Sequence, residues 1–183
     1  MKQKRPAHVR NVRSLKRFNS FSYPNSKEKF SEGVRLSDHL GLTRLGIWHE
    51  ILKPGKRTSW PHAHSKEEEF VYVIKGRPHV WVDGKVFKLS SGDAIGVPAG
   101  TGLAHVFINN SKSDVELLVV GEVDLPGDKI FYPMHPKRNE EMKQKKCLWL
   151  VPGYKLKGTH DGMPDRLRKS KIRSLILGKV SPY

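Results

Sequence analysis

The stretch SWPHAHSKEEEFVYVIKG, Ser59 to Gly76, sets two histidines one residue apart, then three consecutive carboxylates, then an apolar run closed by a glycine. Side chains alternate faces along a strand, so residues two apart share one. His62 and His64 therefore point the same way. In the run that follows, Glu69, Val71 and Val73 fall on one face and Phe70, Tyr72 and Ile74 on the other. Titratable groups gathered at the start of a strand with a buried face point to a shared ion, held by both histidines and one glutamate.

Outward from this stretch, short β-like segments recur at close spacing, each ended by turn residues. They cover 42–52, 57–64, 69–75, 79–82, 85–89, 94–97, 104–108 and 115–122. Asp83-Gly84 between two of them is a two-residue hairpin signal. About eight strands with no internal repeat predict an all-β sandwich or barrel rather than a parallel α/β plan. His105 lies mid-strand after the glycine-rich loop PAGTGLA and is the natural fourth ligand. Three imidazoles and one carboxylate suit a divalent transition ion (Fe, Mn, Zn, Ni, Co or Cu), leave open positions for substrate or water, and do not favour calcium.

These residues resemble the cupins. The first cupin motif matches Gly55…His62-Ala63-His64…Glu69…Gly76, and the second matches Gly92…Pro98-Ala99-Gly100…His105…Asn109. Six residues rather than five separate Gly55 from His62, and four rather than two separate Gly100 from His105; counting from Gly102 restores the shorter gap. The resemblance covers roughly residues 42–122. It implies a double-stranded β-helix, the cupin jelly-roll barrel, with His62, His64, Glu69 and His105 as metal ligands inside it. Glu68 is the alternative to Glu69 as carboxylate ligand; Glu67 and Glu68 otherwise read as solvent-facing. Trp48, Trp60 and Trp81 read as core, and His39, His49 and His79 as surface or core residues without ligand spacing.

Length and charge organise the rest. A chain of 183 residues accommodates one core with flanking arms. Residues 1–40 carry ten Lys/Arg against three Asp/Glu, 41–124 ten against ten, and 125–183 fourteen against five, so the net charge of +16 lies wholly in the flanks. The expected organisation is a basic N-terminal arm (1–40), a barrel domain (41–124) and a basic C-terminal extension (125–183). KQKRPAHVR and RLRKSKIR lack interleaved aromatics, so nucleic acid is not the expected partner. Leu125–Pro136 reads as an extended covering segment, Asn139–Lys146 as a short helix, and THDGMPDRLR from Thr159 as a tail rather than a lid. A single cysteine, Cys147, fits a reducing compartment. No apolar h-region follows the basic start and no apolar stretch reaches bilayer length, so a cytoplasmic protein without a membrane segment is expected.

For function, the resemblance implies a metal used as Lewis acid on a small polar metabolite of sugar, sugar-phosphate or carboxylate type. A non-catalytic ligand-sensing barrel and an Fe(II)-dependent dioxygenase are the alternatives. The small-molecule ligand is the expected partner, and a homodimer the expected assembly. Spacing identifies no general acid or base and no organic cofactor.

Overall fold

Alternating apolar residues and tight turns fold the centre of the chain into antiparallel sheets. The computed structural model describes residues 6–123 and 125–176, with side chains as far as residue 170. Thus KQKRPAHVR and RLRKSKIR each lie partly outside the described residues. The strands are β1 (Glu32–Arg35), β2 (Leu45–Leu52), β3 (Ala63–His64), β4 (Glu69–Lys75), β5 (His79–Val82), β6 (Lys85–Lys88), β7 (Ala94–Val97), β8 (His105–Ile108), β9 (Val115–Glu122) and β10 (Ile130–Phe131). Three helices accompany them: α1 (Leu36–Leu40), α2 (Pro136–Gln144) and α3 (Asp165–Ile176).

A five-stranded sheet runs β1-β2-β9-β4-β7, a three-stranded sheet β6-β5-β8, and β10 pairs with β3. This is a jelly-roll β-barrel. Between the two larger sheets lies one apolar core, in which Leu52, Val71, Val73, Val115 and Leu117 meet Val80 and Phe107. The alternation expected for β4 is observed: Val71 and Val73 are buried, whereas Phe70, Tyr72 and Ile74 are exposed. Asp83 and Gly84 both take positive φ, 47° and 90°, as the predicted two-residue hairpin between β5 and β6 requires.

The other face of the small sheet is covered by the chain's C-terminal part. Trp81, Val106 and Ile108 form a second cluster with Ala63 and Ala104, against which Met134 and Trp149 pack. The segment THDGMPDRLR is therefore not a free tail. The Trp81 indole donates to the His160 carbonyl at 2.6 Å, and Arg57 donates to the Gly162 carbonyl at 2.8 Å. A Trp indole and an Arg guanidinium buried on that face need acceptors, and this segment supplies them.

The flanks also contribute strands. β1 extends the large sheet by pairing with β2, and β10 pairs with the histidine-bearing β3. The expected strand over 57–64 shrinks to β3, with isolated bridges from Arg57 to Ile108 and from His62 to His105. Pro61 lacks an N–H and interrupts the ladder between those bridges. Helix α2 matches the expected short helix, beginning three residues earlier at Pro136. Among the described residues no helix is long and apolar enough to cross a membrane.

Candidate metal centre

The backbone brings the two motif histidines together before any side chain is considered. His62 N donates to the His105 carbonyl at 3.3 Å, and His105 N donates back to the His62 carbonyl at 3.0 Å. Their ring centroids lie 5.2 Å apart. Glu69 opens β4, where pairing with Gly121 of β9 and Val97 of β7 fixes its place. Its Oε2 reaches His105 Nε2 at 3.1 Å and His62 Nε2 at 3.9 Å. His62, Glu69 and His105 thus offer donor atoms to one point. Glu69, not the exposed Glu68, is the carboxylate beside these histidines.

His64 stands next to them, its ring centroid 5.1 Å from that of His62. Its Nδ1 lies 2.7 Å from Asp128 Oδ2 and 3.3 Å from Glu67 Oε2, a separate cluster of possible donors. The structure therefore gathers three of the four expected ligands at one point and gives the fourth two carboxylate neighbours of its own. Glu67 does not face solvent as expected. Its carboxyl turns over Gly121 of β9, where a Cβ would lie 2.5 Å from Glu67 Oε1, so a larger residue at 121 would displace this carboxyl.

The donor chemistry fits a metal. His62 Nδ1 lies 2.9 Å from the Trp60 carbonyl, which only accepts, so this nitrogen carries the proton and Nε2 keeps its lone pair toward Glu69. Burial pushes the His62 pKa down to about 4, against the pull of Glu69, so the ring is neutral near pH 7. Burial also disfavours charge on His105 and on Glu69. Their mutual attraction outweighs it, raising the histidine and holding the carboxyl well below the usual range. A coordinating carboxylate must be deprotonated and its histidine partners neutral, and a bound cation would displace the proton of His105.

The trio opens into a cavity of about 290 Å³ lined by aromatic and acidic side chains. Phe18, Phe21 and Tyr23 come from the N-terminal flank, Trp48 from β2 and Phe107 from β8. Trp48 is therefore a half-buried cavity wall rather than core; Trp60, also half-buried, stacks between Tyr23 and His135 with ring centroids at 4.4 and 4.0 Å. Only Trp81 of the three is fully buried. Two further carboxyls line the cavity, Glu50 and Glu67. Burial raises both to about 7, with Glu69 adding to the rise in each and His64 opposing it at Glu67. Glu50 Oε2 is buried without a hydrogen-bond partner.

Spacing alone missed Glu50, Glu67 and Asp128. Glu50 had a signal, since it shares the inward parity of β2 with Trp48 and Leu52. Asp128 had none, because it meets His64 across 64 residues of chain.

A jelly-roll barrel with two histidines and a glutamate converging in its interior defines a class of fold and site, and the comparisons place the chain within it. The family model described as a cupin domain matches residues 48–121. A sugar phosphate isomerase from a cupin superfamily, from Silicibacter pomeroyi, is 30% identical, with 67% of this chain and 79% of that chain covered and a TM-score of 0.62. The polyketide cyclase RemF from Streptomyces resistomycificus has a TM-score of 0.56 over 80% of this chain and 98% of that one, at 23% identity, which speaks for the fold alone. Among curated proteins, Polyketide synthase CurC from Streptomyces cyaneus is 35% identical over 79 residues, 43% of this chain; the chain spans about half, 49%, of that relative's length. The chain belongs to the cupin superfamily.

Proposed function

We propose that this cupin holds one divalent first-row transition ion through His62, His64, Glu69 and His105 and converts a small, oxygen-rich metabolite in the adjoining cavity. The observation that carries the reading is the convergence of two imidazole Nε2 atoms on Glu69 Oε2 at the cavity wall. Bound there, the ion supplies Lewis-acid polarisation of a carbonyl or enediol oxygen. The protein's own residues set the remaining chemistry. Glu50, with its pKa pushed up to about 7, is matched to give or take a proton at neutral pH. Phe18, Phe21, Trp48 and Phe107 keep the site apolar around its few polar groups, which is how such pockets orient small ligands.

The lining also narrows the substrate class. Among the described residues it includes no Lys or Arg to meet a phosphate. An unphosphorylated hydroxy-carbonyl compound suits these walls better than a sugar phosphate. A homodimer in a reducing compartment, as the resemblance and the lone Cys147 imply, belongs to the same proposal.

The test is exchange of carbon-bound hydrogen with deuterated solvent, followed by NMR over a panel of hydroxy-ketones and hydroxy-aldehydes and their phosphorylated counterparts. Metal-loaded protein should exchange at least one unphosphorylated member, and chelation should abolish it. Binding without exchange across the panel would move the protein to the ligand-sensing class. Oxygen uptake by the iron-loaded form would move it to the dioxygenases.

A further inference from the structure

The chain between β9 and β10 lies beyond the family-matched residues 48–121, yet it reaches the centre. Asp128 places Oδ2 2.7 Å from His64 Nδ1, while its Oδ1 accepts from Lys66 N at 2.8 Å and Ser65 Oγ at 3.1 Å. Both carboxylate oxygens are thus engaged and the group has little freedom to turn away. The strap carrying it is fastened on either side. Lys66 Nζ donates to the Pro126 carbonyl at 2.8 Å, Lys129 N to Ser65 Oγ at 2.8 Å, and Ser65 N to the Lys129 carbonyl at 2.9 Å. The pairing of β10 with β3 then continues the contact through Ile130 and His64 themselves.

A carboxylate only accepts, so the nitrogen facing it must donate. His64 then carries its proton on Nδ1 and leaves Nε2 with the lone pair, the form in which an imidazole ligates a metal. Glu67 faces the same Nδ1 at the longer distance of 3.3 Å and is the secondary partner.

We propose that Asp128 is a positioning residue of the metal centre: this carboxylate, supplied by the C-terminal extension, fixes the tautomer and orientation of His64 and so sets metal affinity. The inference rests on the metal reading above. It makes residues outside the family-matched segment part of the site, and it explains why His64, beside the converged trio, gives its Nδ1 to Asp128.

Cobalt(II) titration of the chelated full-length chain, read by visible absorption, tests it. Asp128→Asn should bind cobalt 10–100-fold more weakly, the range for loss of a carboxylate behind a ligating histidine. Its spectrum at saturation should match wild type, because the ligand set is unchanged, whereas His64→Ala should alter the spectrum itself. Lys66→Ala, which loosens the strap by losing the Nζ bond to the Pro126 carbonyl but keeps the backbone N–H that donates to Asp128 Oδ1, should bind like wild type. Wild-type affinity in Asp128→Asn would overturn the proposal, as would equal weakening in Lys66→Ala, since the effect would then belong to strap packing. A wild-type chain that takes up no cobalt fails the metal reading first and this inference with it. Should Asp128→Asn not fold, the imidazole nitrogen shifts of metal-free wild type decide: a proton on Nδ1 of His64 supports the proposal, and one on Nε2 overturns it.

Discussion

Glu50 and Glu69 line the same cavity and hold their protons with opposite strength. Glu69 is kept ionised chiefly by its attraction and hydrogen bond to His105, while Glu50 has no positive neighbour to offset its burial. The consequence for stability has a definite sign. Below its ordinary value of 4.5 Glu50 is protonated both folded and unfolded and contributes nothing. As pH rises from 4.5 to about 7 the unfolded chain releases the proton first, so the folded state loses stability across that window and the loss is complete above it. Glu50→Gln removes the titration. In chelated protein its melting temperature should rise relative to wild type as pH crosses the window and stay level beyond; a difference that does not change with pH would show that Glu50 is not the buried acid described. At this scale His62 and Glu69 were legible because strand parity and a short loop set their spacing, and His105 because it follows the glycine-rich loop PAGTGLA. Asp128 was not, since nothing local to residue 128 marks it as the partner of residue 64.

Among the elements, the strands read best where alternation and turn chemistry agree. The limits of β4 and β7 follow from apolar runs closed by Gly76 and Pro98, and the β5–β6 turn follows from Asp83-Gly84. Segment 57–64 misled because its composition suits a strand while Pro61 breaks the ladder, leaving bridges at Arg57 and His62. β1 and β10 escaped notice for a different reason. Each is only two to four residues long, and each becomes a strand because an existing edge offers it hydrogen bonds. Such elements are made by tertiary context, which local propensity does not record.

For the whole molecule, the charge distribution sets a neutral centre between two basic arms, and the structure shows what ties them together. Arg57, almost wholly buried, donates from Nε and Nη2 to the two carboxylate oxygens of Glu28 at 2.7 and 2.8 Å, and from Nη1 to the Gly162 carbonyl. The Trp60 indole adds a bond to the same carboxylate at 3.0 Å. One buried guanidinium therefore joins the N-terminal flank, the barrel and the C-terminal extension. Removing its carboxylate leaves an uncompensated buried charge, so Glu28→Ala should cost about 3–5 kcal/mol in denaturant unfolding. A loss below about 1 kcal/mol, the scale of an exposed pair, would mean that the flanks are only loosely applied to the barrel. No composition-based reading could reach this tie, because Arg57 and Gly162 are 105 residues apart.

The central claim is that His62, His64, Glu69 and His105 hold a transition metal. Elemental analysis of tag-free protein, before and after chelation and reconstitution, tests it most directly, alongside the variant carrying both His62→Ala and His105→Ala. The wild-type chain should hold about one equivalent of a single first-row metal, and the double variant should hold none while keeping its β-sheet circular dichroism. Metal at the wild-type level in the double variant, or none in the wild-type chain after reconstitution, would contradict the account.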